Sequence, residues 1–190
     1  MSIGNFESMM NDHQREKIEK YLAELYRWNK KINLTSVDEE KAWETLVEPS
    51  LAMLEFFPSH EGLKVFDIGS GGGIPAIILA VAMPGNTFFA VESVAKKCDF
   101  LTHIVAMLKI ENLLPLNVHT SSILEKEEYF ESADVVTSRQ VKPKEVLEAA
   151  RHLLHGGGVA ILHRSPKEDY EEPGFRLTGS NNSSVSLTME

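Results

Sequence analysis

The chain has 190 residues, 43% hydrophobic and 25% charged, which suits one soluble core and sets the expectation of a single domain. A formal net charge of −9 excludes a protein that grips nucleic acid by overall electrostatics and leaves only local basic groups for that task. The one cysteine, Cys98, excludes an internal disulfide, and no basic, apolar-centred leader or long apolar run is present, so no membrane span and a cytoplasmic location are expected.

Asn11 or Asp12 is placed to cap a first helix, whose apolar stripe is Ile18, Leu22, Leu25, Trp28 and Ile32. Ser36-x-x-Glu39 reads as a capping box for a second helix over Asp38–Phe57, which Pro49 should break or kink. These helices, within residues 1–60, are expected to cap a sheet. From residue 63 strands and helices alternate. The expected strands are Leu63–Ile68, Thr87–Val91, Leu116–His119, Asp134–Ser138 and Gly158–His163. The expected helices are Ile74–Met83, Val94–Lys109, Glu125–Phe130 and Pro143–Leu154, with Gly156-Gly157-Gly158 as the stop of the last. Alternation of this kind implies an α/β core over residues 61–164, its parallel sheet covered on both faces. Pro166–Pro173 is polar and reads as a loop. Phe175–Thr178 and Ser184–Met189 flank Gly179-Ser180-Asn181-Asn182, a hairpin signal that adds two antiparallel strands at the sheet edge within 165–190.

The densest chemical signal is Val65–Pro75, read VFDIGSGGGIP. An apolar strand runs into Gly69-Ser70-Gly71-Gly72-Gly73, and a helix is expected from Ile74. Such a turn lets a ligand lie against bare backbone, and the helix start is expected to offer it unpaired N–H groups. A dinucleotide fingerprint needs a glycine where Ile74 stands, and a P-loop needs Gly-Lys-Ser/Thr, so no pyrophosphate contact is specified. Asp67 would repel phosphate and suits a cationic, zwitterionic ligand, such as a sulfonium compound carrying an amino-acid group. Glu92 closes the second strand about 20 residues beyond the turn, where a carboxylate can hold ribose hydroxyls; capping the next helix is its alternative role. His152, His155 and His163 lack carboxylate or thiolate company, so helix-end charges are expected there and no metal site. Cys98 sits on an apolar helix face and reads as structural.

Four segments together resemble one family. They are Trp28-Asn29-Lys30-Lys31-Ile32-Asn33-Leu34-Thr35-Ser36, VFDIGSGGGIP, Lys96-Lys97 through Phe100-Leu101, and Ser138-Arg139. In these the chain resembles the class I methyltransferases and, more closely, the GidB/RsmG family, which methylates guanine at nitrogen 7 in bacterial 16S ribosomal RNA. The resemblance covers most of residues 14–163. It implies a Rossmann-like, mostly parallel sheet with a C-terminal antiparallel hairpin and an N-terminal helical segment. It also implies S-adenosyl-L-methionine as cofactor, ribosomal RNA or the small ribosomal subunit as partner, and action as a monomer. Cofactor contacts are implied at Gly69, Ile74 and Arg139, with Asp67, Ser70, Gly71, Gly73 and Glu92 completing the turn side. The family's Ala-Glu pair near the adenine aligns with Thr120-Ser121, so its acidic member is missing here. Arg139 would also position the base; a salt bridge to Asp67 or Asp134 is its structural alternative.

The chain departs from the family at Thr45-Leu46-Val47-Glu48-Pro49-Ser50, at Gln140-Val141-Lys142 and around His163-Arg164. Guanine N7 has a free lone pair, so the implied reaction needs no general base, only alignment at about 3 Å. Candidate RNA-facing cations are Arg27, Lys30 and Lys31, then Lys96 and Lys97, then Arg139, Lys142 and Lys144. The competing readings are a cofactor-binding homologue without catalysis and a methyltransferase with another acceptor. A basic rim beside Gly69 favours RNA, and a closed apolar pocket a small acceptor.

Overall fold

The computed structural model describes residues 10–163 and 173–190. Seven strands form one sheet: β1 (Lys64–Ile68), β2 (Thr87–Val91), β3 (Leu113–Leu116), β4 (Ala133–Arg139), β5 (Leu154–His163), β6 (Phe175–Ser180) and β7 (Ser184–Met189). Their order is β3-β2-β1-β4-β5-β7-β6. The first five pair in parallel; β7 runs antiparallel to β5 and β6 antiparallel to β7. The chain winds outward from β1 to β3, then returns to lay β4 on the other side of β1. That reversal opens a crevice at the C-terminal ends of β1 and β4, where open α/β sheets hold ligands.

The helices are α1 (Asp12–Asn29), α2 (Glu48–Ala52), α3 (Ala76–Ala82), α4 (Ala95–Leu108), α5 (Thr120–Ile123) and α6 (Pro143–Leu153). Alternation along β1 sends Val65 into a core shared with α1, α3 and α4, and Phe66 and Ile68 into a second core under α6. Helix α3 is buried from Ala76 to Val81, because it lies on the sheet and beneath α1 and α2. Its apolar sequence suits burial on all sides.

The N-terminal segment corrects two expectations. Helix α1 starts with the expected cap, a reciprocal box between Asn11 and Gln14, but its buried face is Ile18, Tyr21, Glu24 and Leu25. Leu22 and Trp28 are only partly buried, and Ile32 lies beyond the helix end. Asp38–Phe57 is not one helix. It breaks into a 3-10 turn (Glu39–Lys41), a π turn (Trp43–Val47), α2 and a second 3-10 turn (Met53–Phe56). Pro49 accounts for the break, since it has no N–H to return to the preceding turn. The Ser36–Glu39 box does not form: Asp38 stands at the cap without a side-chain bond. The preceding loop is tied elsewhere, with the Tyr26 hydroxyl donating to the Val37 carbonyl and the Val37 amide donating to Thr35 Oγ1.

Strand β3 begins three residues before its expected start. The Asn112 carboxamide donates to the carbonyls of Ala80, Met83 and Asn86 and sets Leu113 opposite Phe88. Pro115 is tolerated because β3 is an edge strand. In place of a helix over Glu125–Phe130 stand α5 and a 3-10 turn at Glu127–Tyr129. The three glycines are not the stop of α6 either. That helix ends at Leu153 and β5 starts at once. Between Ala133↔Leu154 and Val135↔Val159 the register shifts, so β5 spends extra residues in a bulge that holds the glycines, Gly157 at φ +86°. His155 therefore pairs with Asp134 Oδ1 at 3.1 Å rather than completing the helix end. The hairpin forms as expected at the sheet edge. Pro166–Pro173 lies, apart from Pro173, outside the described residues. Among the described residues, no helix is long and apolar enough to cross a membrane.

Helix α1 is bound to α4 by a buried carboxylate. Glu24, 9% exposed, accepts from Arg27, from Trp28 Nε1 at 3.0 Å and from His103 Nε2 at 2.7 Å. These donors, Arg27 foremost, pull its carboxyl down from 4.5 to about 2. The resulting stabilisation is complete above about pH 4.5 and is lost as pH falls towards about 2. Glu24→Gln is expected to cost about 1–3 kcal/mol at neutral pH and to flatten the acid limb. Thermal denaturation followed by circular dichroism across that pH range measures both effects.

Candidate active site

The glycine turn spends its own hydrogen bonds. The amides of Gly69 and Ser70 both donate to the Val91 carbonyl at 3.0 Å, and those of Gly73 (2.6 Å) and Ile74 (3.3 Å) to the Ser70 carbonyl. The Gly71 amide donates to Glu92 Oε2 at 2.8 Å. Helix α3 starts only at Ala76, so the expected row of free helix-start N–H groups is not what the turn presents. It presents bare surface. Gly69, Gly71 and Gly73 have φ of +73°, +54° and +89°, which is why glycine recurs at alternate positions. A Cβ on Gly69 would lie 2.5 Å from Val141 Cγ2, and one on Gly73 would overlap Ile77.

Glu92 fills the alternative role as well as facing the crevice. Its Oε1 accepts from the Val94 amide at 2.7 Å, at the start of α4, while its Oε2 holds Gly71. Each oxygen keeps a second lone pair.

The N-terminal segment forms a wall of the site. The hydroxyl of Tyr21, fully buried, donates to the Gly72 carbonyl at 2.7 Å. The Asn29 side chain accepts from the amides of Leu34 (2.8 Å) and Thr35 (3.0 Å) and donates to the Thr35 carbonyl (2.9 Å). That clamp brings Leu34 and Thr35 to the crevice, beside Leu46. Across it, Arg139 Nη2 donates to the Thr45 carbonyl at 3.0 Å. This carbonyl stands one α turn before Pro49, whose missing N–H leaves it available.

Two polar atoms here are buried without a partner among the described residues: Arg139 Nη1 and Asp67 Oδ2. Arg139 makes no ion pair with Asp67 or Asp134. Asp134 is engaged by His155 and the Lys64 amide, and Asp67 Oδ1 accepts from the Thr137 hydroxyl at 2.8 Å. Burial lowers the Arg139 pKa and raises that of Asp67 to about 6, the latter offset in part by the Ser70 and Thr137 hydroxyls. Burial and the nearby Arg139 charge hold His163 at about 4, so it is neutral.

These groups surround a cleft of about 270 Å³. Gly69, Ser70, Gly71, Ile74, Glu92 and Arg139 line it, as do Gln140 and Val141. Asp67 is buried on β1 and does not line it, nor does Gly73, whose role is to let the turn close over Ile77. Thr120 and Ser121 also stand off the wall; the Ser121 hydroxyl is 2.9 Å from His119 Nδ1. Lys97 lines the cleft. Helices α1 and α4 run in opposite directions, with Lys17 against the Lys109 carbonyl and Glu24 against His103. The end of α1 bearing Arg27, Lys30 and Lys31 therefore lies beside the start of α4 bearing Lys96 and Lys97. Lys30, Lys31, Lys96 and Lys97 make that side of the rim basic, and the cleft, with Glu92, Lys97 and Arg139 in its wall, is not a closed apolar pocket. Sequence reasoning missed Tyr21, masked within an apolar stripe, and the Thr45 carbonyl, for which Pro49 was the available signal.

A family model described as rRNA small subunit methyltransferase G matches residues 14–188. The chain belongs to this family, GidB. It is 33% identical over 172 residues to the ribosomal RNA small subunit methyltransferase G of Staphylococcus epidermidis, covering 88% of this chain and 72% of that one. The protein of the same name from Vibrio vulnificus is 32% identical over 167 residues, covering 86% and 76%. Among solved structures, the fold is similar to a SAM-dependent methyltransferase from Aquifex aeolicus, with TM-score 0.56, 14% identity and coverage of 88% and 97%. It is also similar to a Methanococcus jannaschii fibrillarin pre-rRNA processing protein, with TM-score 0.55, 15% identity and coverage of 70% and 68%. In this GidB chain the family resemblance at Trp28–Ser36 has a physical basis: Asn29 clamps the segment that walls the cleft, and Trp28 packs on Phe100 and His103 of α4.

Gly69→Ala is expected to destabilise the chain more than Gly71→Ala. Both face positive φ, but only the first meets a side chain at 2.5 Å, the second meeting nothing nearer than 3.8 Å. Tyr21→Phe strands the Gly72 carbonyl and should cost about 1–3 kcal/mol. Chemical denaturation of the three variants tests both statements.

Proposed function

We propose that the chain is an S-adenosylmethionine-dependent methyltransferase acting on guanine nitrogen 7 in small-subunit ribosomal RNA, as a single cytoplasmic domain and a monomer. The observation that carries this reading is Arg139: a buried guanidinium nitrogen without a partner, in the wall of a cleft at the sheet's reversal point, facing a glycine turn. The residues fit the cofactor. Arg139 Nη1, in the cleft wall, suits its carboxylate and otherwise bears an uncompensated desolvation cost; Asp67, set behind the turn, would meet its ammonium group through water. The spare lone pairs of Glu92 suit ribose hydroxyls, and the bare turn Gly69-Ser70-Gly71, with Ile74, suits a flat contact surface. Thr120 and Ser121 keep a place beside the adenine on the strength of the family resemblance.

When bound, the cofactor supplies an electrophilic methyl group on a sulfonium. The protein's task is alignment. Arg139 is fixed by the Thr45 carbonyl, so its free nitrogen holds one orientation. Val141, packed against Gly69, closes the turn from the β4 side. No residue needs to remove a proton from nitrogen 7. The basic rim supports an RNA acceptor despite the overall charge of −9, since phosphates respond to the local field.

Incubation with labelled cofactor and small subunits lacking the modification is expected to label the RNA. Folded protein that labels no RNA would count decisively against the proposal. Arg139→Lys cannot reach the Thr45 carbonyl and a ligand carboxylate in one fork. Calorimetry is expected to show about 10- to 100-fold weaker cofactor binding, the size of a lost charge-assisted bond.

A further inference from the structure

Among the described residues of the cleft wall, Gln140 has a conformation that the rest of the fold does not explain. It follows β4 directly, is exposed, and lines the cleft. Its φ is +61°, a left-handed value that a residue with a side chain seldom adopts. Its carboxamide makes no hydrogen bond with any other described residue. Both neighbours are pinned: Arg139 by the Thr45 carbonyl, and Val141 by its contact with Gly69. The loop has only Gln140, Val141 and Lys142 before Pro143 opens α6, and Lys142 is extended, as a residue before proline must be. A strained backbone in a short, doubly anchored loop therefore carries an unused amide at the cleft. The turn after β1, the Glu92 carboxylate and Arg139 hold the part of the cleft proposed above for the cofactor, and Gln140 is the next wall residue beyond Arg139, where an acceptor laid beside the cofactor can be met.

We propose that Gln140 is the acceptor-reading residue: its carboxamide hydrogen-bonds the edge of the target base and holds it in line with the cofactor. A primary amide offers a donor beside an acceptor, the pattern that matches the O6 acceptor and the N1–H donor on the Watson–Crick edge of guanine and leaves nitrogen 7 free for the methyl group. This inference rests on the RNA methyltransferase reading and deepens it.

The test compares the parent with Gln140→Gly and Gln140→Asn. Glycine accepts the positive φ, so it removes the amide without burdening the backbone, and asparagine keeps a shorter amide in a conformation it tolerates. Cofactor binding is measured by calorimetry, and methyl transfer by label incorporated into small subunits lacking the modification. Gln140→Gly is expected to bind cofactor within about twofold of the parent and to lose about 10- to 100-fold in kcat/KM for RNA, the worth of one good amide–base pairing. Gln140→Asn is expected to recover part of that loss. A labelling parent with Gln140→Gly unchanged in kcat/KM would overturn the inference alone. A Gln140→Gly that loses cofactor affinity in equal measure would overturn it by placing the residue on the cofactor side. A parent that labels no RNA would overturn the RNA reading and this inference with it.

Discussion

The contact on which the site depends is the hydrogen bond from the Tyr21 hydroxyl to the Gly72 carbonyl. A turn of alternating positive-φ glycines has no side chains with which to hold itself, so its shape must come from what surrounds it. Val91 and Glu92 grip it from β2, Val141 presses on it from β4, and Tyr21 reaches down from α1. Burial of the phenol pushes its pKa well above the ordinary value, so the hydroxyl remains a donor at any physiological pH. The N-terminal helices are thus part of the cleft rather than a cover laid over a finished site.

Several departures from local preference meet at the C-terminal ends of β1 and β4. Gly69, Gly71, Gly73 and Gln140 with positive φ, and Arg139 Nη1 and Asp67 Oδ2 without a partner among the described residues, occur there. Elsewhere the same devices serve packing alone. The glycine bulge in β5 absorbs a register shift, and Gly179 makes room for the Phe56 ring. A buried polar atom without a partner is costly, and a cofactor carboxylate in the cleft would satisfy Arg139 Nη1.

Much of the fold was legible because hydrophobic periodicity is local. The cores of β1, β2, β4 and α4 stand where alternation and apolar runs put them, and the hairpin sits at the expected edge. The misplacements share a cause, which is that a distant partner overrode the nearby pattern. Asn112, binding three carbonyls near the end of α3, moved β3. The pairing of β4 with β5 turned a plausible helix stop into a bulge. Pro49 broke a long helix into turns whose sequence reads as helical throughout. In the site, Gly69, Glu92 and Arg139 were readable from residue type and spacing. Thr120 and Ser121, placed by resemblance, lie off the cleft wall because α5 starts there and His119 takes the Ser121 hydroxyl.

By itself, the sequence determined the α/β alternation, the glycine turn with its acidic partners, and the family to which the chain belongs. Each of these is written in neighbouring residues. Only the tertiary structure decided that the Thr45 carbonyl orients Arg139, that Tyr21 supports the turn, and that Gln140 lines the cleft without a partner among the described residues. The two contacts join residues 94 and 51 positions apart and both use backbone carbonyls, which every residue carries and no sequence pattern marks.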